Sequence, residues 1–262
     1  MITDRYLDVE GARLRYRDEG SGPPVLMLHG WTMDLEAWDP QVAALSERFR
    51  VVRFDRRGFG LSGGRPSLED DARDIGTICS ALNLERFTLV AMSQGTRPAI
   101  DFASNNPHRI CCLVLDGPPE FGARAGADLS VAAFRELIRT RGLAEFHRQW
   151  LLHPLMRLRR ADDAARSLLD RMVMRYPATD LLDPTAGAGS PDPVPRLSLL
   201  SMPVLVITGE FDLPGRIASA DALARGLPSA ARVVIAGCGH LSGLDNPAAY
   251  NAALLPFLAR YA

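Results

Sequence analysis

Over its first 120 residues the chain alternates short unbroken apolar runs with longer stretches in which apolar positions recur every three or four residues. Unbroken runs are the mark of strands buried on both faces, and the longer spacing is that of amphipathic helices. Residues 6–17 alternate polar and apolar side chains instead and turn at Glu10-Gly11, which predicts an antiparallel edge with one face in water. After the breakers Gly20, Gly22, Pro23 and Pro24, strands are expected at 25–28, 51–54, 87–92 and 110–115. Helices are expected between them at 32–49, 69–84 and 94–102, with Asp34 suited to cap the first. Such alternation predicts a mostly parallel sheet joined by right-handed crossovers. It stops at residue 120: helical patterns follow at 129–139, 143–152 and 161–175, with no strand candidate, and a Pro/Gly-rich stretch at 183–195 closes the interval. Strands return at 204–208 and 232–236 before a last helix at 247–261. The pattern therefore predicts an α/β fold, an eight-stranded sheet with flanking helices built from residues 1–119 and 201–262. Residues 120–200 read as a helical lid over the carboxyl edge, where ligands of such sheets bind.

The change of period at 87–102 falls on a serine. A strand that turns into a helix within one or two residues needs small neighbours at the corner, and Ala91 and Gly95 flank Ser93. This small-x-Ser-x-Gly elbow exposes the hydroxyl on a sharp turn, and the Gln94 N–H, opening a helix, points where an oxyanion would develop. A serine hydroxyl is a poor nucleophile unless a base takes its proton and a third group steadies that base. Of the five histidines, His29 follows a strand and reads as shaping a turn, His108 as a surface residue, and His147 and His153 lie in the lid. His240, in Gly237-Cys238-Gly239-His240 after the last strand, is the candidate base. Asp212, just beyond a strand end, is the candidate orienting acid, with Asp116 as its rival and Glu210 as a third choice.

Composition narrows the classes. At 262 residues, 47% hydrophobic and 23% charged, the chain fits one α/β domain with an insertion. Its formal charge is −1 without a long run of one sign, so neither nucleic acid nor an anionic membrane is expected as a partner. All 30 basic residues are arginine, which excludes chemistry that needs a lysine Schiff base. Cys79, Cys111, Cys112 and Cys238 show no metal-ligating spacing, and the charged N-terminus lacks the apolar core of a signal peptide. The expectation is a cytoplasmic protein acting on a small molecule with no metal and no organic cofactor; oligomeric state is not readable.

In several separated segments the chain resembles the α/β-hydrolase fold superfamily: His29-Gly30, Asp55-x-Arg57-Gly58-x-Gly60-x-Ser62, Ala91-Met92-Ser93-Gln94-Gly95, Gly209-Glu210-x-Asp212 and Gly239-His240, in that order. Ala91 departs from the usual first glycine of the elbow but is small. The resemblance implies a Ser93, Asp212, His240 triad, an oxyanion hole from the backbone N–H groups of Trp31 and Gln94, and a substrate that approaches closely over Gly30. Within the superfamily the likeness is to the 3-oxoadipate enol-lactonase-like and small-carboxylesterase branch, which implies hydrolysis of an ester or lactone through an acyl-enzyme. Ser93 argues against the aspartate-dependent dehalogenases and epoxide hydrolases. Leu241 lowers a C–C bond hydrolase reading, and Trp31 keeps a cofactor-free haloperoxidase or perhydrolase in view. A ligand receptor on a hydrolase scaffold and an acyltransferase are the other classes. One of the many lid arginines, among them Arg135, Arg139, Arg148 and Arg175, is a candidate carboxylate clamp, although solvated helix faces account for them more simply.

Overall fold

A computed structural model describes residues 3–121, 129–183, 192 and 194–262. Its sheet has eight strands in the order β1-β2-β4-β3-β5-β6-β7-β8. β1 (Arg5–Val9) and β2 (Ala12–Glu19) form the antiparallel edge and turn at Gly11, whose positive φ of 73° suits the tight reversal. β3 (Pro24–Leu28), β4 (Arg50–Phe54), β5 (Phe87–Met92), β6 (Ile110–Asp116), β7 (Val204–Gly209) and β8 (Ala230–Ile235) run parallel to one another.

Successive residues of a strand point to opposite faces, so each central strand feeds two cores. Val25, Met27, Val90 and Val114 pack on one side with α1 (Asp39–Leu45) and α10 (Pro247–Tyr261). Leu26, Leu28, Leu89 and Leu113 pack on the other with α2 (Leu68–Ala81), α3 (Thr96–Asn105) and α8 (Pro214–Gly226). Between β6 and β7 the described residues form helices only: α4 (Val131–Arg141), α5 (Leu143–Leu151), α6 (Asp163–Arg175) and the single turn α7 (Thr179–Leu182), besides short 3-10 turns. Phe146, Trp150, Leu169 and Val173 of this insertion join the same core as Trp31 and Met33, just past the carboxyl end of β3.

Two elements differ from the sequence expectation. The helix expected at 32–49 is a 3-10 turn over Leu35–Trp38 followed by α1, because Thr32 takes a left-handed φ of 62° and Asp34 caps only at Leu35, accepting from the Glu36 N–H. α8 was not anticipated from the pattern: its inward positions include Ala220 and one leucine, Leu223, so its apolar stripe is thin. Most of the Pro/Gly-rich stretch at 183–195 lies outside the described residues.

Candidate active site

The carboxyl ends of β3, β5, β6 and β7 and the loop after β8 converge on one buried point. β5 runs straight into a 3-10 turn at Ser93–Gly95, and Ser93 carries φ 51°, a conformation that costs an L residue of order 1 kcal/mol or more. The strain is held by close packing. A Cβ on Gly95 would stand 2.5 Å from the His29 carbonyl oxygen, and one on Gly30 would stand 3.0 Å from the Ser93 Cβ. Only glycine at 95 allows α3 to start against the β3 loop, and Ala91 lies fully buried in β5.

Ser93 Oγ lies 3.0 Å from His240 Nε2, and His240 Nδ1 lies 2.9 Å from Asp212 Oδ2. All three side chains are buried. Burial alone pushes the Asp212 carboxyl up, but the charge and hydrogen bond of His240 and the charge of Arg216 prevail and hold it below the usual carboxylate range. Its Oδ1 also accepts from the Leu213 N–H at 2.7 Å. Asp116, the rival acid, is buried at the end of β6 and accepts from Ser242 Oγ at 3.4 Å rather than meeting His240. Burial and the nearby charge of Asp212 push its carboxyl up to about 8, so it is the neutral member of the pair at pH 7. Glu210 accepts from the Gly237 N–H at 2.7 Å and shapes the loop that carries His240.

Trp31 and Gln94 border the same cavity as Ser93 and His240. The Gln94 side chain is turned aside, its Oε1 accepting from both Arg56 Nη groups at 3.1 and 3.0 Å, while the Trp31 indole donates to Asp180 at 2.7 Å. His29 is fully buried; its Nε2 accepts from the Arg56 N–H at 2.9 Å, which leaves Nδ1–H to donate to the Gly30 carbonyl at 2.8 Å. Burial and the charge of Arg56 depress its pKa to about 3, so it fixes a turn and does not titrate near neutrality. Asp55 does similar work one strand away, accepting from the N–H groups of Leu35 and Leu61 at 2.8 and 2.7 Å.

Three residues of the site escaped the sequence reading. Gly117, at φ 54°, lies where a Cβ would stand 2.7 Å from the His240 ring. Asp245 is buried and accepts from the Gly239 N–H at 3.0 Å, and from the N–H groups of Arg159, Arg160 and Ala161 at 2.7, 2.6 and 3.1 Å, so one carboxylate pins the His240 loop to the insertion. Arg216, in the first turn of α8, places Nη1 3.1 Å from Ser93 Oγ. A cation in a first helical turn opposes the helix dipole, and that is the one local signal it carried. Of the arginines named as candidate clamps, Arg175 pairs with Asp34 and Glu36, Arg139 and Arg148 pair with Glu136 and Glu145 along their own helices, and Arg135 donates to the Leu181 carbonyl at 3.0 Å.

The cavity above Ser93 measures about 290 Å³ and has apolar walls that include Trp31, Met92, Val131, Trp150, Leu155 and Met156. A serine on a strained corner, bonded to an imidazole that is bonded to a carboxylate, can pass its proton inward while its oxygen attacks an electrophile in that space. Among the described residues no cluster of three His, Cys, Asp or Glu side chains could hold a metal ion, and no helix is long and apolar enough to cross a membrane.

The family model described as alpha/beta hydrolase fold matches residues 23–247. The chain is 31% identical over 251 residues to the pimeloyl-[acyl-carrier protein] methyl ester esterase of Nitrosomonas europaea, covering 90% of this chain and 96% of that one. It is 29% identical to the 2-hydroxy-6-oxononadienedioate/2-hydroxy-6-oxononatrienedioate hydrolase of Paraburkholderia xenovorans, over 94% and 91% of the two chains. Among solved structures, a thermophilic esterase from Thermogutta terrifontis superimposes with a TM-score of 0.83 at 26% identity, covering 98% of each chain. With the matched segment spanning the sheet from β3 to the start of α10, the chain belongs to the α/β-hydrolase fold family and resembles esterases within it.

Proposed function

We propose that the protein is a serine hydrolase that cleaves a carboxylic ester or lactone of a small substrate through an acyl-enzyme. The reading rests above all on the buried relay from Ser93 to His240 to Asp212, with links of 3.0 and 2.9 Å, that opens onto the cavity. Ser93 Oγ attacks the carbonyl carbon as His240 Nε2 takes its proton. Asp212, kept ionised, holds Nδ1–H and offsets the charge of the imidazolium. The N–H groups of Trp31 and Gln94 receive the oxyanion, each such donor being typically worth roughly 3 kcal/mol. His240 returns the proton to the leaving oxygen, and water then repeats the sequence on the acyl-enzyme. The insertion acts as the lid, covering the cavity with Val131, Trp150 and Met156 and keeping bulk water from the intermediate. The four cysteines are free thiols, in keeping with a reducing cytoplasm.

A panel of short-chain aryl esters and small lactones, assayed with the wild type and Ser93→Ala, tests the mechanism. Multiple turnovers are expected from the wild type and a loss of about 10³-fold or more in kcat from the variant. Equal turnover by both would remove the serine mechanism, and a single equivalent of product from the wild type would point to a ligand receptor instead.

A further inference from the structure

The loop that brings Asp212 to His240 runs on through Leu213 and Pro214 into α8, and its next long side chain is Arg216. Arg216 is 2% exposed, and its Nη1 donates to Ser93 Oγ at 3.1 Å and to the Gly117 carbonyl at 3.2 Å while lying 3.4 Å from His240 Nε2. The guanidinium is balanced within the site. Burial pushes the Asp212 carboxyl up, and His240 together with the charge of Arg216 holds it down, and Arg216 makes a further interaction besides these. What sets Nη1 apart is where it stands. In the proposed mechanism the leaving oxygen takes its proton from Nε2, so it must come within about 3 Å of that nitrogen while only one bond angle separates it from Oγ. Nη1 stands beside both atoms. The carbonyl oxygen turns the other way, toward the N–H groups of Trp31 and Gln94, and leaves this side of the carbon to the departing alcohol.

We infer that Arg216 is a catalytic residue of the acylation step: an Nη1–H donates a hydrogen bond to the leaving oxygen, which fits the site to alkyl esters and saturated lactones. This rests on the serine-hydrolase reading and deepens it. An aryl oxide or an enolate spreads its charge over its own π-system and gains little from one more donor. An alkoxide keeps the charge on a single oxygen, where a charged donor held in place counts most. The Gly117 carbonyl supplies the holding, since it takes one Nη1–H while the other is directed at the reacting atoms. As Oγ bonds to the carbonyl carbon, the N–H that Oγ accepted in the resting site turns to the leaving oxygen beside it. The carbon to leaving-oxygen bond breaks with its electron pair on that oxygen, and the serine proton reaches the same oxygen by way of Nε2. Arg216 keeps all its protons throughout.

Esters that share one acyl group and differ in the alcohol test the inference: 4-nitrophenyl, phenyl, trifluoroethyl and ethyl acetate, assayed as kcat/KM with wild type, Arg216→Met and Arg216→Lys. Arg216→Met is expected to lose about 10²-fold on ethyl acetate, the size of one lost donor to a reacting oxygen, and less than about threefold on 4-nitrophenyl acetate. Its kcat/KM then falls more steeply with the pKa of the alcohol than that of the wild type. Arg216→Lys, which keeps a charged donor without the planar fork, is expected to lose about tenfold on ethyl acetate and to leave 4-nitrophenyl acetate unchanged. Should Arg216→Met fail to fold, as judged by circular dichroism, the same comparison is read from Arg216→Lys. An equal loss on all four esters, which a structural role or a bond to the oxyanion would give, overturns the inference, and so does wild-type activity in the variants. Labelling of wild-type Ser93 by a neutral fluorophosphonate separates this failure from that of the reading beneath it. Absent labelling removes the serine mechanism and the role of Arg216 with it, whereas labelling together with an equal loss removes the role of Arg216 and leaves the serine mechanism standing.

Discussion

Two residues at the carboxyl end of β6, Asp116 and Gly117, show how single positions set the chemistry of the site. Gly117 gives His240 its room, and any Cβ there meets both the imidazole and a left-handed backbone at φ 54°. Gly117→Ala is expected to lower kcat about 10²-fold by displacing the base and to cost roughly 1 to 2 kcal/mol of stability, measured by steady-state kinetics and thermal melting. A variant with wild-type kcat would show that the ring is not held there. Its neighbour Asp116 carries a pH dependence instead. In the unfolded chain this carboxyl titrates near its ordinary 3.8, and in the fold burial and Asp212 raise it to about 8. The folded state thus holds a proton that the unfolded chain has lost, so the stability it contributes is present at low pH and disappears as pH rises from 3.8 to about 8. Asp116→Asn, which cannot ionise, is expected to flatten this fall, with the Tm difference between variant and wild type growing from pH 5 to pH 8; parallel Tm curves would count against it. The serine corner was readable because its constraint is local, small residues on either side of one turn. Gly117 and Arg216 were not, since what they touch lies far along the chain.

At the level of elements, the helical insertion is tied to the β3 loop at several points. Arg175 of α6 meets Asp34 and Glu36 at 2.8 and 2.6 Å, the Trp150 indole of α5 donates to Thr32 Oγ1 at 2.7 Å, and Asp180 of α7 accepts from the Trp31 indole at 2.7 Å. The Tyr176 hydroxyl donates to the same Asp180. These ties matter because Thr32, a β-branched residue at φ 62°, follows directly on Trp31. Asp34 is pushed up to about 7 by burial and the charge of Asp55 even with Arg175 beside it. Removing that guanidinium leaves a buried carboxylate to take up a proton or remain uncompensated. Arg175→Met is expected to lose about 1 to 3 kcal/mol, less than a fully buried pair because the arginine is partly exposed. It is also expected to speed proteolysis within 129–183, as followed by limited digestion with mass mapping. Unchanged cleavage would show that this tie does not hold the insertion. The helices of the insertion could be read from their periodicity, and α8, with its thin apolar stripe, could not. The element that periodicity passed over is the one that brings Arg216 to Ser93.

For the whole molecule, the insertion and one face of the sheet share a continuous apolar core, from Val90 and Met92 through Trp31 to Trp150, Phe146 and Val173. A shared core argues against separate unfolding of the two parts. Tryptophan fluorescence and far-UV circular dichroism are expected to report one coincident thermal transition, Trp31 and Trp150 sampling the junction and Trp38 the core under α1. An earlier fluorescence transition would mean that the insertion lets go first. The succession of strands along the chain, the break in alternation near residue 120 and the sharp turn at Ser93 were all determined by the sequence alone, because periodicity and small-residue corners act between near neighbours. Which acid stands beside His240, which arginines line the cavity, and that Asp245 joins the His240 loop to the insertion were decided only by the tertiary structure. Burial, charge and contact across separate strands set those outcomes, and the distance between Ser93 and His240, 147 residues apart in sequence and 3.0 Å apart in space, is a property of the folded sheet.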